Sequence, residues 1–288
     1  MVLNNILLDL DNVLVGLIYI LASFLFFAIG KYAYKVVHKG FDADHELVEK
    51  DNFAFAIAQA GYYVGLLLVI GSALKGESNG LINDLIQLGI YATVGIVLLN
   101  IGMVISDKLV LPNFKMKKEI VDDQNAGVGA VEAAIAIGTG LILHGIISAD
   151  HIDFAIVLMD FTIAQLIFVL TSKVYNWITP YNIHEHLEKD NVAVGVGFAG
   201  ALLAVANILR FAVSGEIESW HDFGLVIVFD VLIALAILPI TRFITDKILL
   251  PKRSLTDEII NQDHPNVGAA LIEAFAYIGG SMLITWCL

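Results

Sequence analysis

Asn125-Ala126-Gly127-Val128-Gly129-Ala130-Val131-Glu132-Ala133-Ala134 is the stretch from which this chain is best read. It returns near the C-terminus as Asn266-Val267-Gly268-Ala269-Ala270-Leu271-Ile272-Glu273-Ala274. Each copy opens on an asparagine, passes through small and apolar residues, and reaches a glutamate seven positions later. Each lies in an apolar segment long enough to cross a bilayer. A carboxylate at the centre of such a helix costs roughly 2.5–3.5 kcal/mol on insertion scales. Two of them at matching places are the sharpest functional feature of the chain.

Composition agrees with a membrane setting. The 288 residues are 58% hydrophobic and 16% charged, where a soluble domain carries about 25% charged residues. Mean hydropathy is +0.80. The net charge of −13 comes from acids gathered at segment ends and loops, so it says little about partners. It does argue against nucleic-acid binding, which needs a basic surface. One cysteine, Cys287, provides neither a disulfide framework nor a thiolate metal site. Residues 1–12 hold Asp9 and Asp11 and no Lys or Arg, which is not the basic start of a signal peptide. They read as a short interfacial segment, with Leu3, Ile6, Leu7 and Leu10 toward lipid.

A span needs about 20 mostly apolar residues. Eight segments qualify, approximately 13–37, 52–74, 85–106, 126–147, 154–178, 191–213, 223–245 and 267–286. Of the 16 Lys and Arg, 14 fall in or beside the first, third, fifth and seventh connections; Lys75 and Arg210 alone fall on the other side. The excess of basic residues on cytoplasmic loops predicts those four connections inside the cell and both termini outside.

The chain also repeats itself. Glu49-Lys50-Asp51-Asn52-Phe53-Ala54 returns as Glu188-Lys189-Asp190-Asn191-Val192-Ala193, and Ser106-Asp107-Lys108-Leu109-Val110-Leu111-Pro112 as Thr245-Asp246-Lys247-Ile248-Leu249-Leu250-Pro251. With four spans in each half, 1–148 and 149–288, the halves are parallel repeats about an axis along the membrane normal. A weaker repeat lies within each half. The second, fourth, sixth and eighth spans begin at Asn52, Asn125, Asn191 and Asn266, each placed to cap its helix. Seven residues further stand Gln59, Glu132, Phe198 and Glu273. The ancestral unit is read as a helix pair.

The Asp-Asn-x-Ala start, the Asp-Lys-x-x-x-Pro stop and the Asn-x-Gly…Glu-Ala helix resemble the YjfL-like bacterial inner-membrane family, the domain of unknown function 350, in two tandem copies. The resemblance implies a multi-pass membrane protein with no established activity and no catalytic residues to carry over. It also implies a link to membrane-stress proteins, because some members are encoded beside relatives of the phage-shock system.

The candidate ion-binding residues are Glu132, Glu273, Asp160 and Asp230, supported by Gln59 and Gln165. Gly129, Ala136 and Thr139 share the Glu132 face of a helix; Ala270, Tyr277 and Gly280 share that of Glu273. Small residues let helix backbones approach, so both glutamates are expected to face protein. Asp160 and Asp230 lie toward the opposite end of their spans. Together the four would make a stepped acidic path; the plainer reading is a set of separate helix-packing groups. The eight histidines are scattered, and only His144 falls inside a span. His184-Glu185-His186 is a loop cluster. No phosphate loop, nucleophile elbow or zinc-protease motif occurs, so no enzyme and no cofactor is expected. The loop Leu109–Asp123, with Phe114 and Met116 among Lys115, Lys117 and Lys118, reads as an anchor to anionic lipid.

These readings converge on an all-α polytopic membrane protein of eight transmembrane helices in two parallel four-helix repeats. Two functions fit. One is a transporter or channel for protons or monovalent cations that uses the buried carboxylates. The other is a non-transporting envelope-stress scaffold that recruits cytosolic partners. Its partners are the lipid bilayer and, in either case, a second copy of the chain is a candidate.

Overall fold

The computed structural model describes residues 2–38, 42–75, 78–112, 114–115, 117–149, 154–215, 220–249 and 253–288. Eight long helices carry the fold: α1 (Val2–Val37), α2 (Phe53–Ser72), α3 (Leu81–Val110), α4 (Ala126–Ser148), α5 (Phe154–Ile178), α6 (Val192–Ala212), α7 (Trp220–Ile244) and α8 (Val267–Cys287). All eight positions contain a stretch long and apolar enough to cross a membrane. The described residues contain no strand.

Two helices are longer than their sequences suggest. The separate interfacial segment expected over 1–12 is instead the first part of α1, because no Gly or Pro interrupts the chain between Leu3 and Val15. The side chains of residues 1–11 lie outside the described ones. α3 begins at Leu81, where Asp84 gathers Ser78 Oγ (2.6 Å), the Asn79 amide (2.9 Å) and the Tyr19 hydroxyl (2.6 Å) around the helix start. It ends just before Pro112, which cannot continue it.

Each even-numbered helix starts in the same way. Asn52, Asn125, Asn191 and Asn266 stand at the N-cap and accept, through the side-chain oxygen, the amides of Phe55, Val128, Val194 and Ala269 at 3.0–3.1 Å. Such a cap contributes about 1 kcal/mol. Before each cap a short connector turns the chain back: His45–Glu49, Lys117–Asp122, Ile183–Glu188 and Leu255–Ile260. In the first three the chain enters the cap through a left-handed residue, Asp51, Gln124 or Asp190, with φ of 51°, 53° and 57°. The fourth has Pro265 in that place. Proline is locked near −65°, so the turn is made differently there, within the loop that carries two extra residues.

The C-terminal part of the loop read as a lipid anchor packs into the bundle. Ile120 and Val121 are buried in the core, and the Ile120 carbonyl accepts the Asn52 side-chain amide at 2.8 Å. Met116 lies outside the described residues.

The even helices form an inner row in the order α2–α4–α6–α8, and the odd helices pack alongside. Small residues set the spacing of that row. A Cβ added at Gly129 would come within 2.5 Å of the Ala54 carbonyl, one at Gly140 within 2.6 Å of the Gly65 Cα, and those at Gly61, Gly195 and Gly200 would overlap the backbones of Ala133, Gly127 and Ala274. Lipid supplies no hydrophobic drive between helices, so such close approach, with its dispersion contacts, is what joins them. α4 against α6 joins the two halves. α1 turns Leu14, Leu17, Leu21, Phe24 and Leu25 outward, as a lipid-facing helix does.

Candidate functional site

Both glutamates of the repeated stretch face protein. Glu132 is 3% exposed and Glu273 0% exposed. Each stands six residues into its helix, which at 1.5 Å per residue places it about 9 Å from the basic end of the bundle. Their neighbours differ, and in a way that the repeat hides.

Glu273 is neutralised. Arg242 of α7 donates through Nη1 to Glu273 Oε1 at 2.6 Å, and the Tyr277 hydroxyl donates to the same oxygen at 3.0 Å. Arg242 is held in turn by Thr256 Oγ1 at 2.9 Å and lies 5.5 Å from the centre of the Tyr181 ring. Burial, reinforced by the Glu273 charge, pushes the Tyr181 phenol up to about 12. It therefore stays neutral beneath the guanidinium. Tyr175 packs its ring on Phe198 at 5.6 Å and edge-on to Tyr277 at 5.9 Å, closing the cluster.

Glu132 has no such cation. The positions matching Arg242 and Tyr277 in the first half are Met103 and Ala136. What meets Glu132 is another acid, Asp107 of α3, within hydrogen-bonding reach. Two carboxylates are both acceptors only, so this contact holds only when the pair carries a proton. Asp107 Oδ1 and Glu132 Oε2 have no other donor.

Further along the same seam, between α3, α4 and α5, stands a second polar group. Gln165 donates through Nε2 to the Gly102 carbonyl at 3.2 Å and to Ser106 Oγ at 2.8 Å. Gly102 leaves the room: a Cβ there would come within 2.6 Å of Thr139 Cγ2 and 3.2 Å of Gln165 Oε1. Thr139 Oγ1 and Gln165 Oε1 have no donor of their own. Asp160, one residue before Phe161 on α5, is fully buried with neither oxygen partnered. Among the described residues, eleven buried side-chain atoms have no partner; four of them belong to Asp107, Glu132, Thr139 and Gln165, and two more are the Asp160 oxygens. By helical rise, Thr139 lies about 10 Å beyond Glu132, and Asp160 about 7 Å beyond Gln165.

The remaining candidates lie elsewhere. Gln59, on α2, donates to the Tyr63 hydroxyl at 2.8 Å. Asp230 belongs to α7, and its side chain lies outside the described residues. The structure therefore brings Glu132, Thr139 and Gln165 to one seam and leaves Glu273 in a separate cluster; Asp160, five residues before Gln165 and so about 140° around α5 from it, is buried on another face of that helix. Sequence reasoning missed Asp107 and Arg242: the first figures there only in the repeated Asp-Lys-x-x-x-Pro stop, the second only in the bias of basic residues. The available signal was the mismatch of Arg242 with Met103 at positions that the repeat aligns. His184 uses Nε2 on the Val110 carbonyl at 2.8 Å, so it serves as a bracket between loops.

Comparison with known proteins fits this picture. A UPF0719 transmembrane protein of Aquifex aeolicus (strain VF5) is 20% identical over 243 residues, covering 83% of this chain and 87% of that protein. No solved structure matches. The model of the Domain of Unknown Function (DUF350) matches residues 7–147 and again 151–288. The chain thus belongs to the DUF350 family as two tandem copies, an integral membrane protein of eight helices whose second copy sets an arginine against its buried glutamate.

Proposed function

We propose that the protein moves protons, and that the route is the seam between α3 and α4 of the first half and α5 of the second. The observation that carries this reading is the set of four unpartnered oxygens on Asp107, Glu132, Thr139 and Gln165. Buried polar atoms are almost always satisfied, by protein, water or a proton. A run of acceptors in one seam is therefore a run of places for protons and ordered water. The Asp107–Glu132 pair is the loading point, since it must hold a proton to exist as built. The remainder of the second half serves as the fixed partner, its glutamate tied to Arg242.

The setting proposed is a bacterial inner membrane, with the basic connections in the cytoplasm and both termini outside; reporter fusions at the two ends check it. The test of function is a pH-gradient assay in liposomes with an entrapped dye. The parent is expected to collapse the gradient. Asp107→Asn with Glu132→Gln is expected to lose that activity, and Arg242→Met with Glu273→Gln to keep it. A gradient that collapses equally with the first double variant overturns the reading. A second reading, a non-transporting scaffold for stress-response partners, is favoured by the Arg242–Glu273 lock. It predicts no flux from the parent protein at all.

A further inference from the structure

The four helix pairs are linked by one bond repeated three times. The Asn52 side-chain amide donates to the Ile120 carbonyl at 2.8 Å, that of Asn125 to Leu187 at 2.8 Å, and that of Asn191 to Ile259 at 3.0 Å. In every case the asparagine that caps one even helix reaches the connector of the next pair. The backbones repeat in register as well. The residue two past the cap in one helix presses on the residue four past the cap in the next: Ala54 on Gly129, then Gly127 on Gly195.

The two ends of this series are open and complementary. The connectors align through the bond each makes to its cap amide, from Glu46, Glu119, His186 and Glu258 to Asn52, Asn125, Asn191 and Asn266. The acceptor residue next in line is then Leu47, Ile120, Leu187 or Ile259. The last three are 1%, 0% and 0% exposed, whereas Leu47, with no pair before it, is 37% exposed. At the other end Asn266 is exposed, unlike the three buried caps, and its amide turns back to Glu258 Oε2 at 2.9 Å. Gly127 meets Asn191 and Val192 of the next helix, whereas its counterpart Gly268 meets only its own cap.

We infer that a second copy of this chain continues the series head to tail, its α2 against α8 of the first. Asn266 then reaches the Leu47 carbonyl of the neighbouring copy, and Gly268 meets its Ala56. The occupant is a second copy because the open faces are the two halves of an interface that the chain already forms three times. A stack whose units contact only their neighbours extends until something caps it, and neither end carries a cap. Such a contact is heterologous and gives a ring or a filament. It is wider than the internal ones, because Phe275 stands where Gly61, Ala134 and Gly200 stand, opposite Ala60 of the next copy.

The test uses the full chain with Cys287→Ser in membranes, under a permeant oxidant. Ala60 and Phe275 are both exposed to lipid, so cysteines there leave the fold intact. Ala60→Cys in one population and Phe275→Cys in a differently tagged one, co-expressed, are expected to give the mixed disulfide dimer. Both changes in one chain are expected to give a ladder of oligomers. Self-dimers of Ala60→Cys alone, or no cross-link in any combination, overturn the inference. The unmodified protein in nanodiscs provides an independent readout: a mass above one chain supports it, and a monomer at every loading overturns it.

Discussion

At the residue scale, the two buried glutamates are set apart by their partners: Arg242 stands where the first half has Met103, and Tyr277 where it has Ala136. The consequence is that two glutamates in the same sequence setting have opposite needs. Glu273 is a buried charge balanced by a guanidinium; Glu132 is a buried acid that needs a proton. Removing one member of a buried pair leaves the other uncompensated and costs about 3–5 kcal/mol. Arg242→Met is therefore expected to lower the melting temperature in detergent sharply. Adding Glu273→Gln is expected to restore most of the loss, because the orphaned charge goes with it. If Arg242→Met melts with the parent, the ion pair is not what holds α7 to α8. The asparagine caps were legible from sequence because a cap is local, three residues from the amide it satisfies. Asp107 was not, since a carboxylate three residues from the end of α3 looks like any helix-end acid until the neighbouring helix is in place.

At the element scale, the spacing of the inner row depends on glycines facing backbone. Gly195 of α6 lies on Gly127 of α4, at the join between the halves. A methyl group there must push two helices apart, and overpacking of this kind costs about 1–3 kcal/mol. Gly16 of α1 provides the contrast, with nothing within 4 Å of an added Cβ. Gly195→Ala is expected to destabilise the protein in thermal unfolding. Gly16→Ala is expected to be neutral or slightly stabilising, as alanine favours a helix over glycine by about 1 kcal/mol. Equal effects at both sites would mean that close approach is not the source of the cohesion. Sequence identifies such glycines as packing residues. It does not say which neighbour they meet, and the α2–α4–α6–α8 order comes from the assembled bundle.

At the scale of the whole molecule, the duplication predicts separable parts. Each half matches the family model on its own, and the α4–α6 contact that joins them is built from the same bond and the same small residues as the contacts inside each half. Co-expression of 1–148 with 149–288 is expected to give a complex that survives purification through a tag on one half. Asn125→Ala with Gly195→Val is expected to break it; a complex unaffected by both would place the join elsewhere. The sequence by itself determined the class, the eight crossings, the tandem repeat and the helix starts, because each depends on apolar length, periodicity or a local cap. Only the tertiary structure decided which buried acid meets an acid and which meets an arginine. Those partners are 25 and 31 positions apart on different helices, and the choice is made by how the helices pack.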